Sequence, residues 1–125
     1  MEHLYIGPSA WTPEVFFNVD DNKLCIIGRS FPEDVPSFYI PIEKWLKNNI
    51  IECVDGFNME VQLDYFNTAT SKYLLYMMHI LEEYKENHDI PIVIRWKYFA
   101  DDEDMKEAGM EYQHFVSIPF EFEEI

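Results

Sequence analysis

Basic residues are scarce in this chain. Nine Lys and Arg face 24 Asp and Glu among 125 residues, for a formal net charge of −15. Nucleic-acid binding depends on Lys and Arg that neutralise phosphates, and no basic cluster is present to do so. An anionic membrane surface repels such a chain for the same reason. Proteins or small ligands are therefore the expected partners. Glycine occurs only four times, and no Gly-rich phosphate loop is found. The two cysteines, Cys25 and Cys53, are far apart and too sparse for a disulfide framework. Reduced, half-buried thiols are expected. No apolar run approaches the ~18 residues of a membrane span. The start, Met1-Glu2-His3-Leu4-Tyr5, has neither the basic nor the apolar region of a signal peptide. These absences point to a cytoplasmic protein with no direct membrane insertion.

Apolar side chains are plentiful: 48% of residues are hydrophobic and 17% aromatic, far too many for a disordered chain. The length suits a single domain over residues 1–125. Val15–Val19 and Leu24–Arg29 read as a hairpin around the turn Asp20-Asp21-Asn22-Lys23. Pro32 and Pro36 argue for a loop leading out of it. A first helix runs to about Asn49, with Phe38, Ile42, Trp45, Leu46 and Ile50 at helical spacing. Pro41 should lie in the first turn or mark its start, because an interior proline costs ~3 kcal/mol. Asp55-Gly56-Phe57-Asn58 reads as a turn, and Met59–Asp64 alternates as a strand with one face in the core. A long helix is predicted over about Thr68–Asn87, a strand over Ile92–Tyr98, and a helix over about Met105–Phe115 capped by the last acid of Asp101–Asp104. A short final strand lies within Val116–Phe122. The order is β-β-α-β-α-β-α with a terminal β. An α/β (α+β) fold is expected, with a mixed β-sheet and an N-terminal antiparallel hairpin.

The segment Asp64-Tyr65-Phe66-Asn67-Thr68-Ala69-Thr70-Ser71-Lys72 is the most informative. A strand hands over to a helix there, and hydroxylated residues fill the junction. A helix start offers unpaired N–H groups and a positive dipole end. A hydroxyl at that point can be a cap, a phosphate-binding group, or the acceptor of a covalent phosphate. Spacing alone favours Asn67 or Thr68 as an ordinary cap. At 100° per residue, Tyr73, Leu74, Met77, Met78, Ile80, Leu81 and Tyr84 form the buried stripe. Thr70 projects inward, Ser71 sits at the border, and Thr68 lies on the outer arc above Lys72. Leu75 and Tyr76 also fall on that arc beside His79. They are isolated exposed apolar residues, or are covered by a loop, or form part of a docking surface with Thr68, Lys72 and His79.

Catalytic signals are weak. His79 is eleven residues from Thr68, about three helical turns, and no G-x-S-x-G elbow exists. His79 and Glu83 could share a metal, but no further ligand is suggested, and a surface ion pair is the simpler reading. Asp101-Asp102-Glu103-Asp104 lacks the Gly and the downstream Glu of an EF-hand loop. No cofactor is implied. A small enzyme or metal-dependent binder using His79 and nearby carboxylates stays as one alternative, and a constitutive interaction scaffold as another.

Several segments carry a family resemblance through their order and spacing. They are Thr12-Pro13, Gly28-x-Ser30-x-Pro32-Glu33, Trp45, Asn67-Thr68 with Lys72, and Trp96-x-Tyr98. Together they resemble the SiaC family of bacterial regulatory phosphoproteins over nearly the whole chain. That family is similar in fold to the anti-sigma-factor antagonists (STAS). The resemblance implies a non-catalytic partner switch in which Thr68 is phosphorylated by a Ser/Thr kinase of the histidine-kinase-like ATPase type. A PP2C-type phosphatase would reverse it. The unmodified protein would bind and activate a diguanylate cyclase, raising cyclic-di-GMP and favouring aggregation or biofilm. One departure is that Thr70 follows Ala69 and adds a second candidate acceptor.

Overall fold

The computed structural model describes residues 1–125. Six strands form one mixed sheet in sequential order: β1 Tyr5–Ile6, β2 Glu14–Asn18, β3 Lys23–Ser30, β4 Phe57–Phe66, β5 Ile92–Tyr98 and β6 Phe120–Glu124. β1, β2 and β3 pair antiparallel, and β3 through β6 pair parallel. The crossovers are α1 Val35–Asn49, α2 Thr68–Asn87 and α3 Glu103–Phe115. Successive right-handed crossovers that always step the same way put their helices on one face. The contacts agree. Tyr39 of α1 reaches Ser30, Trp96 of β5 donates to Met105 of α3, and Tyr112 of α3 donates to Ser71 of α2.

Phe57, Met59, Val61 and Leu63 of β4 point into the core between sheet and helices, beside Leu24, Ile26, Ile92, Ile94 and Trp96. From the helices, Tyr39, Ile42, Leu46, Leu74, Met77, Met78 and Leu81 complete it. The stripe predicted for α2 is therefore the buried one: Leu74, Met77, Met78 and Leu81 are core, and Tyr73, Ile80 and Tyr84 pack against it half-buried. The bounds of α2 and β5 also fall where the sequence placed them.

Several expectations need correction. Pro36 lies in the first turn of α1, where its missing N–H costs nothing, and Asp34 caps that helix through the Ser37 amide. Pro41 does sit inside α1. It and Ser37, whose carbonyl it deprives of a donor, are both exposed, so water can satisfy that carbonyl. Phe57 and Asn58 belong to β4, because Phe57 fills the core and pairs in register with Ile92. Asp102, rather than Asp104, caps α3 by accepting from the Met105 amide at 3.0 Å. The last strand begins only at Phe120. Both cysteines are buried rather than half-buried. The outer face of β4 is not simply solvated either, since Glu60 is only 5% exposed between Lys23 and Lys97.

A register shift between Gly28 and Arg29 breaks the β3–β4 ladder, and Asp64 is the residue skipped. Gly28 adopts φ +125°, a left-handed conformation that suits glycine. The bulge re-aims the residues downstream of it. Leu63 and Phe66, three apart, both face the helices, while Tyr65 sits with Arg29.

Gly109 of α3 lies against the Trp96 indole, where an added Cβ would come within 2.5 Å of the ring. The indole N–H is fixed on the Met105 carbonyl at 2.8 Å, so the ring cannot swing aside freely. The overpacking cost of Gly109→Ala, about 1–3 kcal/mol, should outweigh the ~1 kcal/mol that alanine gains in a helix, for a net loss of up to about 2 kcal/mol. A urea midpoint equal to wild type or above it would show that the ring does yield.

Candidate functional site

The start of α2 is built from beneath. Ser30, at the end of β3, accepts twice on its carbonyl: from the Asn67 amide at 3.0 Å and from the Thr70 hydroxyl at 3.2 Å. Its own hydroxyl bonds Tyr39 at 2.7 Å and Thr70 at 2.9 Å. This hydroxyl cluster joins β3, α1 and α2 inside the core, and Thr70 is 0% exposed. Burial pushes the Tyr39 phenol up to about 12, against the lowering effect of its bonds to Ser30 and Thr70.

Asn67 is the cap. Its side chain accepts from the Thr70 amide at 2.8 Å and its carbonyl from the Ser71 amide at 3.0 Å. The Ser71 hydroxyl donates back to the Thr68 carbonyl at 2.6 Å. Of the three hydroxyls at the junction, Thr68 alone is both exposed and free of any hydrogen bond. The Thr68 and Ala69 amides also lack an intramolecular acceptor. Lys72, one turn on, is exposed and makes no ion pair. Helical phase thus separates the hydroxyls as expected, with Thr70 in, Ser71 at the border and Thr68 out.

The outer stripe of α2 continues through Tyr76, 48% exposed and edge-on to Tyr73, and through His79. Leu75 departs from it. It forms one wall of a groove of about 260 Å³ between α2 and α3, with Phe66, Ser71, Ala108, Tyr112 and Phe115. His79 meets Glu82 at 3.2 Å, rather than Glu83. Glu82 in turn accepts from the Ser117 amide at 2.6 Å and from the Ser117 hydroxyl at 3.0 Å. The Ser117 amide is the main reason the Glu82 carboxyl is held below its usual range, with His79 adding to it. His79 lines no cavity. Asp102 and Asp104 face a separate cleft with Asp64, Tyr65 and Phe66.

The profile described as SiaC family regulatory phosphoprotein matches residues 6–125. The chain belongs to the SiaC family. An uncharacterised protein of Pseudomonas aeruginosa strain UCBPP-PA14 is 24% identical over 120 residues, covering 96% of this chain and 94% of its own. Among solved structures, apo-SiaC of P. aeruginosa superposes with a TM-score of 0.87 at 24% identity, over 98% of this chain and 99% of its own. A chain from the complex of the diguanylate cyclase SiaD with its activator SiaC, also from P. aeruginosa, gives 0.90 at 23% identity over the same shares. These likenesses establish the fold: a six-stranded mixed sheet with three helices.

Ser30 and Tyr39 were not singled out by sequence reasoning as part of this junction. The signal was present in part, since Ser30 stands in the Gly28-x-Ser30 segment and Tyr39 lies on the same face of α1 as Ile42 and Leu46. What sequence could not supply was the pairing of β3 with β4. The same holds for Ala108, Tyr112 and Phe115, which reach the groove only through the packing of α3 on α2.

Ser30→Ala should cost about 1–3 kcal/mol, because Tyr39 and Thr70 lose a buried partner. Thr68→Ala should stay within about 0.5 kcal/mol of wild type, as the hydroxyl bonds to nothing. Chemical denaturation of the two variants tests the contrast, and equal losses would count against it.

Proposed function

We propose that this chain is a single regulatory domain over residues 1–125 that works as a non-catalytic partner switch controlled at Thr68. In this reading a Ser/Thr kinase of the histidine-kinase-like ATPase type modifies Thr68, and a PP2C-type phosphatase restores it. The unmodified form binds and activates a diguanylate cyclase, as SiaC activates SiaD in the P. aeruginosa complex. Its output is cyclic-di-GMP, and through it biofilm or aggregation. The observation that carries the reading is the free, exposed Thr68 hydroxyl beside two unpaired helix-start amides and the unpaired Lys72.

A phosphate on Thr68 brings almost two negative charges and three acceptor oxygens. The helix start and Lys72 can hold it with about 1–3 kcal/mol of local stabilisation. The partner surface in this reading is Thr68, Lys72, Tyr76 and His79 along α2, with Leu75 at the groove behind. Asn67, Thr70 and Ser71 shape the phosphosite without accepting phosphate. An interface centred on that stripe must desolvate whatever Thr68 carries. A hydroxyl loses little on burial, whereas a dianion that one lysine and two amides only partly match costs several kcal/mol.

Incubation with such a kinase and ATP should add one phosphate, located by peptide mass spectrometry at Thr68 and absent from Thr68→Ala. Phosphate on Ser71 or Thr70 would sink the assignment. Thr68→Asp should weaken binding to the cyclase about tenfold or more while keeping the unfolding midpoint at or slightly above wild type, as one incompletely matched charge in the interface costs at least ~1.4 kcal/mol and an acid in the first helical turn is not destabilising. Equal affinities of variant and wild type, measured by calorimetry, would remove the switch.

A further inference from the structure

A second surface lies at the same carboxyl end of the strands, formed by residues outside the α2 stripe. Trp11, 62% exposed, packs edge-to-face on Phe31 with centroids 5.0 Å apart. Phe31 packs edge-to-face on Tyr65, 54% exposed, at 5.6 Å. The other two tryptophans, Trp45 and Trp96, are buried. Trp11 is not left out by slack packing. Its carbonyl accepts from the Phe31 amide at 2.8 Å. The Ser9 hydroxyl accepts from the Trp11 and Thr12 amides at 3.1 and 3.0 Å, and the Ser9 and Thr12 hydroxyls meet at 2.6 Å. The loop backbone is thus pinned, and it presents a large aromatic side chain toward water with one edge contact to Phe31.

Beside it opens a cleft of about 470 Å³ lined by Ser9, Trp11, Thr12, Phe31, Pro32 and Glu33. Glu33 is its only ionisable lining residue, and no base lines it. An aromatic face with a nearby carboxylate and hydroxyl acceptors suits a cation that is weakly hydrated, planar and rich in donors, which is a guanidinium. The excess of acids over bases across the whole chain favours the same sign of partner.

We infer that the Trp11–Phe31–Glu33 cleft docks an arginine side chain presented by a partner protein, with the guanidinium over the Trp11 indole and its N–H groups toward Glu33. This docking point does not require Thr68 to be modified. It would act as an anchor that sets the partner's orientation, while the α2 stripe reads the state of Thr68. An aromatic side chain on a pinned backbone has few torsions left to order on binding, which is why such residues serve as anchors.

The test is a titration of the full-length, 15N-labelled protein with N-acetyl-arginine methylamide, followed at the Trp11 indole N–H and the Ser9, Phe31 and Glu33 amides. The neutral counterpart with citrulline serves as control. A saturable shift confined to these signals is expected, with citrulline about tenfold weaker because it keeps the shape and loses the charge. Glu33→Gln should weaken the arginine response by about threefold or more, and Thr68→Asp should leave it in place. That last arm separates failure of this cleft from failure of the switch. Equal responses to arginine and citrulline would overturn the inference, as would shifts that avoid Trp11. Tighter binding of free arginine than of the blocked residue would also overturn it, since the site would then belong to a small molecule.

Discussion

Everything around the start of α2 depends on the Ser30 carbonyl. It takes both the Asn67 amide and the Thr70 hydroxyl, so one backbone oxygen on β3 fixes where β4 ends and where α2 begins. Asn67 can then cap, Thr70 is drawn inside, and Thr68 is left pointing out with its hydroxyl unused. A cluster of small polar residues would otherwise compete for the same orphan amides. Here each has one assignment. Fixing the helix start from below also means that its outer surface can change charge without disturbing the core.

The sheet solves a second problem that its topology creates. With all three helices on one face, the other face of four parallel strands is left without a covering layer. Lys23 on β3, Glu60 on β4, Lys97 on β5 and Glu123 on β6 cross it as an alternating row, with N···O distances of 3.5, 3.3 and 3.3 Å. Glu60 is only 5% exposed, and the two lysines flanking its carboxylate offset the cost of burying it. Burial pulls Lys97 down, but its bonds to Glu123 and Glu60 outweigh that and raise it. Burial and the neighbouring Glu60 carboxylate push the Cys25 thiol up to about 11, which makes it a packing residue and not a nucleophile. Arg95 pairs with Glu121 on the same face. Three of the nine basic residues are consumed there, and Lys72 is one of the six that pair with no carboxylate.

The share of the fold that is legible in sequence is set by which forces are local. α2 and β5 were readable to the residue because period, cap and breaker agree: Asn67 at one end, Pro91 beyond the other, and a β-branched run after it. The sorting of Thr68, Thr70 and Ser71 was readable because helical phase is geometry. Pro41 was misjudged because its penalty is local while the compensation is tertiary: Val35, Tyr39, Ile42 and Leu46 bury the opposite side of α1 and hold it together. Choosing Asp102 over Asp104 as the cap needed the docking of Met105, and Glu82 over Glu83 needed Ser117, 35 residues away. The Ser30–Tyr39–Thr70 cluster and the α2–α3 groove were invisible for the same reason. They exist only once β3 meets β4 and α3 meets α2.

Charge magnitude decides how a modification at Thr68 can act. Adding nearly two charges to −15 changes the distant field little, and at physiological salt that field is screened beyond about 8 Å. The groups best placed to respond are the two free amides, Lys72 one turn on, and whatever a partner places over them. The fold has no reason to change, because Asn67, Thr70 and Ser71 are already committed elsewhere. A switch at this position must therefore be read by the partner through desolvation and fit. That would make the rigidity of the helix start the property such a switch draws on, and the buried hydroxyl cluster is the source of that rigidity.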